Sequence, residues 1–351
     1  MIKAKNEIAG TAPAHHGAFD YGELARLGLS PDDVLDFSVN SNPYGPPSCV
    51  YEALARVPLS RYPDPECLAL RNKLADYHGV SADHIVVGNG TAELLLLIAF
   101  AFLERGMTVL VPDVTFSEYE RVARIVGATV QTLPLTLDSV AGAHLVFLCN
   151  PNNPDGTFLP PEQLIEQWIA PNPNTLFIVD EAYANFLQAP QTLIGTNAHN
   201  VLVVRSMTKD YALAGLRLGY VVGQPDQIEA IRRVRPAWNV NAPAQAVGLA
   251  VLDERDWLHK TVKLLHDNKR VLFAHLSAMG FGPHPSSVHY FLMKVDNSSG
   301  FRAQLLKHNV MVRDCASFGL PDYVRIATRT PEDNKKLLDA LKLNTSPRRN
   351  A

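Results

Sequence analysis

The sequence predicts an α/β protein: a mostly parallel sheet covered by helices on both faces, followed by a smaller α+β domain. Two observations carry this. Through the middle of the chain, short continuous β-branched runs alternate with helical patterns, the mark of strands buried on both faces. Past residue 250 the alternation gives way to long helical stretches broken by two strands.

Taken in order, Ile85-Val86-Val87-Gly88 reads as a strand leading into a helix over 92–102. Thr108-Val109-Leu110-Val111 is a strand before a helix over 118–126. His144-Leu145-Val146-Phe147-Leu148, Leu176-Phe177-Ile178-Val179, Val201-Leu202-Val203-Val204 and Gly219-Tyr220-Val221-Val222 are further strands. Helices are expected over 257–279, 301–308 and 331–342, with strands at 290–295 and 323–327 between them. The last helix has Thr330 as its N-cap and Pro331 at its first position, where proline loses no hydrogen bond. The division expected is an N-terminal arm and small-domain segment (1–62), a large domain (63–250) and a C-terminal small domain (251–351).

Composition narrows the function. The chain has 351 residues, 47% of them hydrophobic, enough for a substantial core. A net charge of −3 offers no broad basic field for nucleic acid. Cys49, Cys67, Cys149 and Cys315 form no CxxC pair, so they read as small buried hydrophobes of a reducing compartment, and no metal site is expected. The N-terminus lacks the apolar core of a signal peptide. The run from Leu94 to Leu103 is half the length of a membrane span. A cytoplasmic protein is expected.

Lys209 lies in Ser206-Met207-Thr208-Lys209, flanked by hydroxyls and followed at +8 by Arg217. That company suits an amine that bonds an aldehyde while its neighbours hold a phosphate. Asn150-Pro151-Asn152-Asn153-Pro154-Asp155-Gly156 and Asp180-Glu181-Ala182-Tyr183 each follow a buried strand, the position at which open α/β sheets place ligands. The Asp180 carboxylate, at the end of an apolar run, calls for a cationic partner. Gly88-Asn89-Gly90-Thr91-Ala92 joins strand to helix, where free N–H groups suit an anion.

Together, Asn-Pro-x-x-Pro-x-Gly, Asp-Glu-Ala-Tyr and Ser-x-Thr-Lys with Gly-Leu-Arg-x-Gly resemble the fold-type I pyridoxal-phosphate enzymes of the class I/II aminotransferase superfamily. The likeness runs from about His16 to Leu341. It implies the three-layer large domain of that fold, with pyridoxal 5′-phosphate bonded to Lys209. It further implies Asp180 against the pyridine nitrogen, Asn153 and Tyr183 at the ring hydroxylate, and Gly90, Thr91, Ala92, Ser206, Thr208 and Arg217 around the phosphate. Phe116 or Tyr119 would stack on the ring, with Phe116 preferred. Tyr62 resembles a tyrosine that reaches the neighbouring subunit's cofactor, which implies a homodimer with shared active sites. Arg325, with Arg313 and Arg329, would grip the anionic groups of a small phosphorylated amino-acid substrate, with Asn42 and His16 nearby.

Two members of the superfamily compete. His15-His16-Gly17, the Asp36–Pro47 segment, Pro236–Ala242 and Val312-Arg313-Asp314-Cys315 resemble L-threonine-O-3-phosphate decarboxylase of cobalamin side-chain synthesis. That enzyme is the leading expectation, with histidinol-phosphate aminotransferase or a related class I/II aminotransferase as the alternative. Asp155 and Asp210 depart from the usual motifs. A non-catalytic sensor of the same fold is the remaining reading, and no basic helix-turn-helix pattern precedes the Gly-Asn-Gly loop.

Overall fold

The computed structural model describes residues 2–11, 17–134 and 140–345. Among them, twelve strands are numbered in chain order. β1 is Leu35–Asp36, β2 Ile85–Gly88, β3 Thr108–Pro112, β4 Thr129–Leu133, β5 Leu145–Cys149 and β6 Leu176–Asp180. β7 is Val201–Ser206, β8 Gly219–Val222, β9 Tyr290–Lys294, β10 Val310–Met311, β11 Arg313–Asp314 and β12 Tyr323–Ala327.

Seven strands form the central sheet in the order β2-β8-β7-β6-β5-β3-β4. The pairings β3–β4, β3–β5, β5–β6 and β6–β7 are parallel, whereas β8 runs antiparallel to both β2 and β7. Six of the seven are the expected apolar runs. The seventh, β4, was not legible as a strand because it lies at the sheet edge and three of its five residues are exposed. An edge strand facing water carries no continuous apolar run. Helix Thr91–Phe102 is apolar nearly all round and buries Leu94, Leu95, Leu97 and Ile98. Each such fully buried side chain contributes about 1.5–3 kcal/mol. Among the described residues, no helix is long and apolar enough to cross a membrane.

The C-terminal part holds an antiparallel sheet, β11-β12-β9, and its own core around Phe291, Val324, Ile326, Leu337 and Leu341. The N-terminal segment joins this core: β1 pairs with β10 in parallel, and Phe37 is buried beside Phe291 and Val324. The helix Arg255–Ala278 serves both cores. Its Leu258, Val262 and Leu265 pack into the large core, and its Leu272 and Leu276 into the small one. The expected boundary near 251 therefore falls just before a helix the two units share. Thr330 caps the last helix, Pro331–Thr345, accepting from the Asp333 N–H at 3.2 Å.

Strand direction positions the site. Gly88, Gly219 and Ser206 lie level across β2, β8 and β7. Cys149 pairs with Asp180 across β5 and β6. The carboxyl ends of β2, β5, β6 and β7 thus meet at one edge of the sheet, where the loops that follow them enclose a crevice.

Candidate active site

A cavity of about 270 Å³ opens at this edge. Lys209 lies in the loop after β7. The Asn42 N–H donates to the Lys209 carbonyl at 2.8 Å, and the Asn42 amide donates to the Asp210 carbonyl at 3.1 Å and to Thr261 Oγ1 at 2.8 Å. These bonds hold the loop from behind. Burial, and then the charges of Arg325 and Arg217, bring the Lys209 amine down to about 8. Among the described residues no carboxylate pairs with it. An amine this close to neutrality is available as a nucleophile and as a proton carrier.

Asp180 ends β6 at 3% exposure. Its Oδ2 accepts from the Tyr119 hydroxyl at 2.9 Å and its Oδ1 from the Ala182 N–H at 3.0 Å. Burial raises its carboxyl to about 6 despite those bonds. No lysine, arginine or histidine among the described residues forms an ion pair with it. A buried carboxylate without an ion-pair partner, facing a cavity with an unpaired lysine, fits the ring nitrogen and aldehyde of pyridoxal phosphate.

An anion cradle completes the cavity. The start of helix Thr91–Phe102 presents N–H groups without intrahelical partners. Ser206 and Thr208 share a hydroxyl–hydroxyl bond of 2.7 Å. Gly90 adopts φ +79°, and a Cβ there would lie 2.7 Å from Arg217 Nη2, so glycine lets the guanidinium close over the loop. Gly219 is needed for a different reason. A Cβ on it would meet the Arg205 carbonyl at 3.0 Å, the Thr91 nitrogen at 3.1 Å and the Gly90 carbonyl carbon at 3.2 Å. Gly219→Ala is expected to push the cradle off the sheet, costing about 1–3 kcal/mol in thermal unfolding and weakening phosphate-anion binding measured by calorimetry.

On the opposite wall, Arg325 of β12 donates from Nη1 to Asn153 Oδ1 and from Nη2 to the Ser38 carbonyl. Its guanidinium carbon sits 5.6 Å from the Tyr290 ring centre. Arg313 is its cross-strand partner, donates to Ser317 Oγ at 2.7 Å, and is brought down to about 10 by burial and then by Arg325. Burial likewise raises the Tyr183 phenol to about 12.

Of the residues singled out in the sequence, Thr91, Ala92, Phe116, Tyr119, Asn153, Asp180, Tyr183, Ser206, Thr208, Lys209, Arg217, Arg313 and Arg325 line this one cavity. Phe116 and Tyr119 separate. Both line the cavity, but Tyr119 is fully buried, stacked on Phe147 and bonded to Asp180, whereas Phe116 is only partly buried. Gly90 touches the cavity through Arg217. Asn42 lies behind the lysine. Arg329 is turned away, donating to Asp333 Oδ2 at 2.9 Å and to the Asp36 carbonyl at 3.1 Å. Tyr62 is 81% exposed and stacks on Trp238 at 4.7 Å, away from the cavity of its own chain. His16 falls outside the described residues.

Sequence reasoning missed Asn40 and Phe318, which also line the cavity, and a buried network beneath the lysine loop. Arg205 Nη1 meets Glu181 Oε2 at 3.0 Å, Arg205 Nη2 donates to Asn185 Oδ1 at 2.6 Å, and Asn185 donates to Asp210 Oδ2 at 2.6 Å. Asp210, a departure from the usual motif, is thus tied into the interior.

Comparison with known proteins agrees with this geometry. The family model for aminotransferase class I and II matches residues 32–341. A histidinol-phosphate aminotransferase of Symbiobacterium thermophilum is 37% identical over 332 residues, covering 90% of this chain and 91% of that protein. The histidinol-phosphate aminotransferase of Clostridium acetobutylicum superimposes with a TM-score of 0.81 at 25% identity, covering 89% of this chain and 99% of that one. The L-threonine-O-3-phosphate decarboxylase of Porphyromonas gingivalis does so with a TM-score of 0.81 at 27% identity, covering 88% and 98%. With the lysine, the aspartate and the anion cradle in one crevice, the chain belongs to the aminotransferase class I and II family and is a pyridoxal-phosphate-dependent enzyme.

Proposed function

We propose that the enzyme transfers the amino group of a phosphorylated amine of the histidinol-phosphate type to a 2-oxo acid. The observation that carries this reading is the meeting of Lys209 with the buried pair Arg313 and Arg325 in one cavity. A transaminase alternates between two anionic substrates, here a phosphate ester and a dicarboxylate, and one cationic wall suits both. The entry segment and the Val312–Cys315 run lean toward the decarboxylase. The relatives reverse that order: histidinol-phosphate aminotransferases match at 31–37% identity.

Lys209 would hold the cofactor, with Asp180 at its ring nitrogen and Asn153 and Tyr183 at its hydroxylate. Thr91, Ala92, Ser206, Thr208 and Arg217 would hold its phosphate, and Phe116 would cover its face. When bound, pyridoxal phosphate supplies an electron sink for the carbon that carries the amine. The protein decides which bond on that carbon breaks. Arg325, fixed by Asn153 and the Ser38 carbonyl, orients a substrate anion so that the C–H bond faces the lysine. Lys209 Nζ, with its pKa near 8, would take that proton and hand it on rather than back to the same carbon, so that the nitrogen can stay behind. Tyr62 at 81% and Trp238 at 48% exposure stack into an apolar patch on the surface. This supports a homodimer in which Tyr62 serves the second site.

Besides those sequence segments, a decarboxylase reading has the likeness to the P. gingivalis enzyme in its favour. Products separate the two. Histidinol phosphate with 2-oxoglutarate is expected to yield glutamate, and threonine phosphate no carbon dioxide. Carbon dioxide from threonine phosphate, with no glutamate from histidinol phosphate, would overturn the assignment.

A further inference from the structure

Behind Lys209 the cavity wall contains polar atoms that the protein leaves without partners. Asn40 lines the cavity at 1% exposure, and neither its amide nitrogen nor its amide oxygen makes a hydrogen bond. His289 is fully buried, and neither ring nitrogen makes a well-formed hydrogen bond, the Asn40 backbone being its polar neighbour. Thr328, fully buried as well, leaves its Oγ1 without one. These groups are neighbours. The Thr328 N–H donates to the His289 carbonyl at 2.9 Å, and the Asn40 backbone is the group that most favours a charged His289. Asn40 also sits beside the Tyr183 phenol, without a well-formed bond to it.

Buried polar groups in native proteins are nearly always satisfied, and each unsatisfied one costs about 1–3 kcal/mol. Asn40 is the one of these that lines the catalytic cavity, and its open amide there points to a polar group that arrives with the substrate, with His289 and Thr328 in the layer behind it. The surroundings say which kind. Burial keeps the His289 imidazole neutral, and Lys269, His266 and Arg325 add positive potential around it. A cationic side group is therefore disfavoured. The ring of Phe186 lies 4.0 Å from His289, and Tyr290 lies 4.9 Å from Tyr183, so the surroundings of these two side chains are aromatic. A carboxamide offers one donor face and one acceptor face. A flat, neutral group with its own donor and acceptor is the complement.

We infer that Asn40 is a specificity-determining residue whose amide hydrogen-bonds a neutral heteroaromatic side group of the amine substrate. His289 acts behind it as a positioning residue. The inference rests on the proposed histidinol-phosphate reading and extends it from the phosphate to the ring. The chamber selects at the side group, whereas Arg313 and Arg325 select at the anion.

The test compares histidinol phosphate with phenylalaninol phosphate, which differs only in its ring, on the cofactor-loaded enzyme. Asn40→Leu keeps the volume and removes both polar atoms. It is expected to cut the preference for histidinol phosphate, as a ratio of kcat/KM values, by roughly 10- to 100-fold, with the change carried by KM. His289→Phe, a ring for a ring, should shift the ratio in the same direction by a smaller factor, and it serves if the Asn40 variant does not fold. Equal losses on both amines, or a change confined to kcat, would overturn the assignment of Asn40 while leaving the transaminase reading in place. Wild-type enzyme inactive on histidinol phosphate would remove that reading and this inference with it.

Discussion

Lys209→Ala is expected to lower turnover by about 10³- to 10⁴-fold, the scale of a lost acid–base group in a cofactor enzyme. The measurement is single-turnover kinetics, together with loss of the long-wavelength absorbance of lysine-bound cofactor. The same lysine should work against the fold. Its folded pKa, about 8, lies below the ordinary lysine value of 10.5. Below pH 8 the amine is protonated in both states, and the full cost of burying its charge is present. As pH rises from about 8 toward 10.5, the folded state sheds the proton first and the cost is relieved. Lys209→Met should therefore stabilise the cofactor-free protein at pH 7 by on the order of 2 kcal/mol, and the gain should shrink between pH 8 and 10. A variant no more stable than wild type at pH 7 would contradict this account of the amine.

Arg205→Ala is expected to cost about 3–5 kcal/mol in chemical unfolding, because it leaves a buried charge without its partner. Glu181 and Arg205 are buried at 3% and 5% exposure, and Glu181 also accepts from the Leu193 N–H at 2.8 Å. Asp210, two links further on, is raised by burial to about 6, with Arg205 pulling the other way. Without the arginine the Asp210 carboxyl should bind a proton more readily in the folded state. The deficit should therefore be smaller at pH 5 than at pH 7. A deficit independent of pH would point to lost packing rather than lost charge.

What was legible in the sequence follows a physical pattern. Strands buried on both faces announce themselves, as Val86-Val87 and Leu145–Leu148 do, because every position is apolar. β4 does not, and neither do β1, β10 and β11, which are two residues long; β1 and β10 exist only through each other, far apart in the chain. The residues around Lys209 were readable because they cluster after strand ends. In the sequence Tyr119 stays open as a ring-stacking residue behind the preferred Phe116, until its bond to Asp180 commits it inward. Asn40, His289 and the Arg205–Glu181–Asn185–Asp210 network were invisible. Each depends on side chains from distant segments meeting in the interior, and no local spacing records that.

The segment from Leu35 to Asn42 pairs with β10 at one end and holds the Lys209 loop at the other, and the Arg325 guanidinium grips its Ser38 carbonyl midway. Mechanically it is a tie rod between two sheets. Any rocking of the C-terminal sheet is delivered to the lysine over the span of eight residues, Leu35 to Asn42. An anion that draws on Arg325 pulls on the same rod, so occupancy of the substrate site and the posture of the nucleophile are geared together.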